Sequence, residues 1–384
     1  MLALGEEDRL EHWRVDLNRL PATADYVAEV VRAQYPTLDV PFHARWRHFV
    51  VGARHLWAEL SARAGWRDPA AKARAAFDLA ITSVLLDAGA GPDWRYRDAA
   101  TGATSARSEG LAVASFRMFE AGAFSTDPAD PLRADASALQ ALTADRLEAG
   151  FQVAADNPLV GADGRAALLR RLDAQAAARP DMFACEDSAR PGGLYDTLAA
   201  RAENERLPAA AILEVLLEAL GPIWENRPVL GGIPLGDCWP HPQAPGDGFV
   251  PLHKLSQWLS YSLVEPLQDA GVEVVELDGL TGLAEYRNGG LFMDLGVLTL
   301  RDPADAGRSW TPADPLVVGW RSMTVALLDR IAPLVRERLG VDEAAFPLAR
   351  VLEGGTWAAG RKAAAERRPG GGPPLTIVSD GTVF

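Results

Sequence analysis

The sequence predicts a mostly α-helical fold with few short strands, and three observations carry the prediction. Apolar residues recur at three- and four-residue spacing in segment after segment, as a buried helix face requires. Residues that start and stop helices stand at the ends of those segments. Strand signals are confined to residues 272–277, which have high β propensity but are short and lack strict alternation.

Taken along the chain, Trp46, Phe49, Val50, Ala53, Leu56 and Leu60 mark a first helix face over residues 46–60. Phe77, Ile81, Val84 and Leu85 mark a second, with Gly89 placed as its left-handed C-cap. Ser108 stands as N-cap to a helix over residues 109–121, closed by Gly122. Pro208 opens and Gly221-Pro222 closes a helix whose stripe is Ile212, Leu213, Leu216 and Leu220. The longest helix begins at Asp314-Pro315, a cap followed by proline in the first turn. Its stripe is Leu316, Trp320, Met323, Leu327, Ile331 and Leu334. Residues 126–131, 231–251 and 301–312 are rich in Pro, Gly or Asp and read as long loops. No repeat or strand–helix alternation divides the chain, so one large helical domain is expected over residues 1–368. A Gly/Pro tether and an extended tail, residues 369–384, follow it.

Composition narrows the function. Hydrophobic residues make up 48% of the 384 and charged residues 23%, enough apolar material for a sizeable core. The net charge of −14 repels phosphate backbones and, with no long Lys/Arg run, argues against a nucleic-acid partner. No apolar run approaches the ~20 residues that span a bilayer. The acidic start, with Glu6, Glu7 and Asp8, is unlike a secretory or transit peptide, so the cytoplasm is the expected location. Two cysteines, Cys185 and Cys238, exclude a disulfide framework and a thiolate cluster.

The familiar phosphate-loop, dinucleotide and nucleophile-elbow motifs are absent. His48 and His55 share a helix face but stand about 10 Å apart along its axis, too far to share one metal ion. No metal and no cofactor are therefore expected. Three stretches concentrate polar chemistry among apolar residues. The first is Pro41-Phe42-His43-Ala44-Arg45-Trp46-Arg47-His48, where Arg47 offers a planar fork of donors to an anion and His43 a second contact. The second is a helix over residues 252–268, with Lys254, Gln257 and Tyr261 on one face. The third, residues 276–290, holds Glu276, Asp278 and then Glu285, Tyr286 and Arg287 before Gly289-Gly290; an acid in such surroundings has a pKa suited to proton transfer. Patterning alone leaves each open to a structural reading, as surface ion pairs, a solvated face and a buried Glu–Arg pair respectively.

Longer phrases carry a resemblance. PFHARWRHF from Pro41, TSVLLDAGAGPDWRY from Thr82, RSEGLAVASFRMFEAGAFS from Arg107, LTGLAEYRNGGLFMD from Leu280, GGTWAAGR from Gly354 and the terminal SDGTVF resemble the family of the fourth uracil-catabolism protein, a long-standing domain of unknown function. The resemblance runs from about residue 18 to the end. It implies a place in a pathway that turns uracil, through its ribonucleotide, into urea and a three-carbon product, with other enzymes of uracil catabolism as partners.

A more distant resemblance, over residues 75–340, is to the queuosine salvage proteins, helical nucleoside N-glycosidases acting on a 5′-monophosphate. Leu85-Leu86-Asp87 is similar to their leucine-aspartate, and residues 109–126 to their helix ending in glycine and threonine-aspartate-proline. Residues 252–263 place Lys254 on their lysine and Gln257 on their glutamine. Residues 280–287 place Glu285 on their acidic residue, one methylene longer than the aspartate. Ala88-Gly89-Ala90-Gly91 replaces their aromatic patch, which implies a smaller, urea-like leaving group. The resemblances together imply hydrolysis of a ribosylurea-type nucleoside or nucleotide, its 5′-phosphate by preference. Glu285 is then the catalytic carboxylate, with Asp278 and Asp87 in reserve. Lys254, Arg287 and Gln257 would hold the substrate, Trp94 and Tyr286 would wall the pocket, and Ser108 with Glu109 would bond the leaving group. Two rivals use the same residues: an amidohydrolase cleaving the ureido bond, and a non-catalytic subunit that binds the intermediate.

Overall fold

A computed structural model describes residues 1–185 and 188–378. Helix accounts for 54% and strand for 10%, and the sheets are two-stranded, so the fold is mostly α as the periodicity requires. The helical body comprises two compact units, each assembled from discontinuous segments. One contains Met1–His43, Arg227–Gln257 and residues 280–378; the other contains Ala44–Asn226 and Trp258–Gly279. This interleaving explains why no linker composition marks a boundary in the sequence.

The first unit is built on the Pro315–Leu339 helix, which Asp314 precedes and Gly340, at φ +74°, terminates. Leu316, Trp320, Met323, Leu327 and Ile331 are all buried as the stripe predicts. Trp13 stacks on Trp320 at 6.5 Å and donates its indole N–H to the Leu316 carbonyl. The Leu20–Gln34 helix packs beside it, burying Val27, Ala28 and Val31. The loop over residues 231–251 carries structure of its own, including an antiparallel pair of Cys238–Pro240 with Phe249–Pro251. The C-terminal tether folds back: Thr376–Ile377 pairs in parallel with Ser309–Trp310 and Leu375 is buried. The last six residues of the expected tail, 379–384, lie outside the described residues.

The second unit packs the helices Pro69–Leu85, Arg107–Glu120, Ala162–Ala178, Gly193–Ala199 and Ala209–Leu220. The expected strand forms as Glu273–Val275, in parallel with Arg206–Pro208. Three local expectations are corrected. Residues 46–60 are not one helix: a 3-10 turn, Arg45–Phe49, gives way to a hairpin pairing Val50–Val51 with Arg54–His55, and the α-helix is Leu56–Ala64. Gly52, at φ +61°, makes the hairpin turn, and the β-branched valines before it favour strand. Gly89 is not a helix cap, because the helix stops at Leu85. The carbonyls of Leu86, Ala88 and Gly89 are instead gathered by the buried guanidinium of Arg165. Ser108 is not an N-cap but lies within the first turn of Arg107–Glu120, while Gly122 does follow its end at φ +72°.

Two helices of the first unit approach unusually closely. A Cβ on Gly360 would sit 2.2 Å from the carbonyl oxygen of Arg287, so only glycine lets the Trp357–Arg367 helix lie against Tyr286–Asp294. Helix propensity alone favours Ala over Gly by about 1 kcal/mol. Backbone displacement at this contact outweighs that gain, so Gly360→Ala should lose about 1–3 kcal/mol in chemical denaturation. Gly307→Ala, with nothing within 4 Å of the added carbon, should stay within about 0.5 kcal/mol of the parent.

Candidate active site

The polar cluster of the first unit is organised by Asp237. Arg321, on the Pro315–Leu339 helix and almost wholly buried, grips its carboxylate with two bonds of 2.7 Å. Trp239 donates its indole N–H to the same carboxylate at 2.7 Å. The backbone N–H groups of Leu252 and His253 converge on the Asp237 carbonyl, and that of Lys254 on its carboxylate at 3.0 Å. His253 takes φ +44° to make this convergence possible. Arg321 also donates through Nε to the Ala284 carbonyl at 3.1 Å. One ion pair thereby fixes both the start of the helix that carries Lys254 and the residue preceding Glu285. Burial by itself would raise the Asp237 carboxyl, but Arg321 and the converging donors outweigh it and hold the group below its ordinary value.

Glu285 caps the Tyr286–Asp294 helix. One carboxylate oxygen accepts the Arg287 N–H at 2.7 Å and the other the Asn288 N–H at 2.5 Å. Burial pushes this carboxyl above its ordinary value, against the pull of those donors and of the Lys254 and His43 charges. Gln257 accepts the Thr281 N–H at 3.1 Å, tying the loop before Glu285 to the Lys254 helix. Gly289 leaves room for Trp320 and Thr324, whose side-chain atoms would lie 2.7–2.8 Å from an added Cβ. Arg287 is buried, donates to the Gly371 carbonyl at 2.7 Å and lies 4.7 Å from the centre of the Tyr286 ring. Its guanidinium anchors the C-terminal tether.

His43 enters from the other end of the sequence. Its N–H donates to the Ala349 carbonyl, and its Nδ1 lies 2.6 Å from the Glu353 carboxylate. Glu353 sits in a π-helical turn, Val351–Thr356, between the short helix Leu348–Arg350 and Trp357–Arg367. Gly354 and Gly355 let that turn press on Val40 and Val27, each 2.9 Å from a would-be Cβ. Trp357 packs on the His43 ring at 5.7 Å. Two buried acceptors here, Asn288 Oδ1 and Thr356 Oγ1, have no hydrogen-bond partner among the described residues.

His43, Lys254, Gln257, Glu285, Tyr286 and Arg287 therefore belong to the first unit, and Arg47, Asp87, Trp94, Ser108, Glu109 and Asp278 to the second. Within the stretch Pro41 to His48, the buried cation is Arg45 rather than Arg47. Arg45 pairs with Asp87 at 3.2 Å, donates to the hydroxyl and carbonyl of Ser83 and to the Ser108 carbonyl, and lies 5.5 Å from the Trp258 ring. Burial lowers its pKa, opposed by the charges of Asp87 and Glu109. The second Asp87 oxygen, Oδ1, has no hydrogen-bond partner among the described residues. Arg47 is engaged by Glu265 at 2.5–2.6 Å. Trp94 is a core side chain bonded to the Phe151 carbonyl, and Asp278 is exposed on a 3-10 turn. Among the described residues no group of three His, Cys, Asp or Glu stands where it could hold a metal ion, and no helix is long and apolar enough to cross a membrane.

Asp237, Arg321 and Glu353 escaped the sequence reading. Asp237 lies in the stretch read as a loop, and Arg321 on a helix chosen for its apolar stripe. Glu353 immediately precedes the phrase GGTWAAGR, and that adjacency was the available signal.

Removing one partner of the Asp237–Arg321 pair strands a buried charge, whereas replacing both need not. Asp237→Ala should cost about 3–5 kcal/mol in denaturant unfolding, and the double variant Asp237→Leu/Arg321→Met should recover most of it. The folded-state pKa of Asp237 is depressed, so its contribution is complete above the unfolded value and lost as pH falls through the folded one. Acid titration of the double variant should lack that component.

The whole chain, residues 1–384, matches the model of a protein family of unknown function, DUF1688. It is 41% identical to the protein urg3 of Schizosaccharomyces pombe, over all of this chain and 95% of that one. It is 37% identical to uracil catabolism protein 4 of Lachancea kluyveri, over 97% of this chain and 92% of that one. On a match of this length and similarity, the chain belongs to the DUF1688 family.

Proposed function

We propose that this chain is an N-glycosidase of uracil catabolism that hydrolyses a ribosylurea-type compound, its 5′-phosphate by preference, and releases urea. The observation that carries the reading is Glu285: a buried carboxyl, raised by that burial, fixed at a helix N-terminus within electrostatic reach of Lys254. The names of the two relatives support the pathway, and the resemblance of residues 280–287 to the queuosine salvage motif supports the bond cleaved. Breaking the bond from the anomeric carbon to nitrogen leaves positive charge on the ribose ring. A carboxylate beside that carbon stabilises the charge and takes a proton from the attacking water. Lys254 supplies the cation for a phosphate or ribose oxygen. The two backbone donors fix the Glu285 side chain, and a second lone pair on each oxygen remains for water.

Purified protein incubated with ribosylurea and with its 5′-phosphate should release free urea and the ribose product. Glu285→Gln should reduce kcat/KM by roughly 10²–10⁴-fold. The reacting form is the carboxylate and its pKa is raised, so the rising limb of kcat/KM should lie above the ordinary range near 4.5. Ammonia or carbon dioxide as the first product would move the assignment to cleavage of the ureido bond. Tight binding without turnover would make the chain a carrier of the intermediate.

A further inference from the structure

We infer that His43, oriented by Glu353, is the acid that protonates the departing nitrogen; the inference rests on the N-glycosidase reading. Its geometric basis is independent of the residues that suggested that reading. His43 is 5% exposed, its backbone is pinned to Ala349, its ring is packed by Trp357, and its Nδ1 lies 2.6 Å from Glu353. An ionised carboxylate only accepts, so Nδ1 carries a proton toward Glu353. Any proton that the ring gives to a substrate therefore leaves from Nε2. A histidine held by a carboxylate in one tautomer and orientation is the arrangement that proton-transfer sites use.

The surrounding backbone is specialised for this pair. Glu353 lies in the π-helical turn, and such turns concentrate at functional sites. Two glycines, Gly354 and Gly355, are needed to seat that turn against Val40 and Val27. A charge on the His43 ring bears on Glu285, which puts that ring within electrostatic reach of the carboxyl assigned to water. Lys254 and His43 are among the charged groups bearing on Glu285, and Glu353 is bonded to the His43 ring.

The chemistry needs two proton transfers of opposite sense. Urea is a poor leaving group as its anion. Protonated His43 gives its Nε2 proton to the nitrogen as that atom takes the electron pair of the breaking C–N bond. Water adds its oxygen to the anomeric carbon and loses a proton to the Glu285 carboxylate. Ribose (or its phosphate) and neutral urea result, and solvent returns one proton to His43 and removes one from Glu285. Glu353 acts through the His43 ring and is a positioning residue.

A ribosyl fluoride tests the assignment, because fluoride departs with far less need of a proton while water must still be activated. With ribosylurea or its 5′-phosphate, His43→Asn should lose roughly 10²–10⁴-fold in kcat and Glu353→Gln a smaller factor in the same direction. With the corresponding ribosyl fluoride both variants should fall only a few-fold, whereas Glu285→Gln should fall severely on both substrates. Nitrogen-15 NMR of the full-length parent should show His43 protonated at Nδ1, a readout that survives any failure of a variant to fold. Equal losses on the two substrates in His43→Asn, or an Nδ1 without a proton, would overturn the assignment and leave the N-glycosidase reading standing. Absence of urea release by the parent protein would remove both.

Discussion

In the first unit the arrangement of the polar cluster depends on the pairing of Asp237 with Arg321. The pair is more than a charge match, because each partner also bonds to backbone. Asp237 collects the N–H groups of three successive residues at the start of the Lys254 helix, and Arg321 reaches the carbonyl of the residue before Glu285. Lys254 and Glu285 lie 31 positions apart in sequence and share no local element, so their proximity has to be imposed. A small apolar cluster, Trp239, Val250, Leu252, Ala284 and Val318, packs around the same junction and keeps water from weakening the pair. An ion pair of this kind gives less net stability than it gives definition of geometry.

Glu285 shows how one side chain serves fold and chemistry together. Capping donors and the helix N-terminus favour its ionised form, while burial disfavours it more strongly. The balance leaves a carboxyl whose position is fixed by its cap and whose proton affinity is set by its surroundings. The Asp87–Arg45 pair in the second unit follows a different logic. Its cation is bound to serine and backbone oxygens on several elements, and the following loop is wrapped on Arg165, so the surroundings there are spent on closing the ends of helices.

Much of the architecture was legible because helices advertise their buried stripe. Leu316 through Ile331, and Ile212 with Leu216 and Leu220, are buried as their spacing demands. The misreadings share a cause. Over residues 46–60 the buried members of the stripe, Trp46, Phe49, Leu56 and Leu60, belong to the 3-10 turn and the helix that flank the hairpin, while Val50 and Ala53 within it are exposed, and Gly52 was the local sign of the turn. At Gly89 a distant arginine did what a glycine usually does, and no window of local sequence contains Arg165. Within the candidate site, Glu285, Lys254 and His43 stood out as polar groups in apolar context, and the resemblance to the queuosine salvage motif gave the first two their expected roles. Asp237, Arg321 and Glu353 were not, because their partners lie 84 and 310 positions away.

The π-helical turn at Val351–Thr356 constrains the protein in length as well as in composition. A π turn accommodates one residue more than the α-helical turn it interrupts. Deleting a single residue there would let the segment relax to α geometry, and each residue of helix accounts for about 100° of rotation. Everything on one side of the deletion would swing by that angle relative to the other, carrying Glu353 off the face that meets His43 or Gly360 off the face that meets Arg287. Neither displacement can be repaired by changing a side chain. Among descendants of this gene, substitutions should accumulate in the turn more readily than changes in its length, and a one-residue gap there would mark a chain that has given up the His43–Glu353 contact.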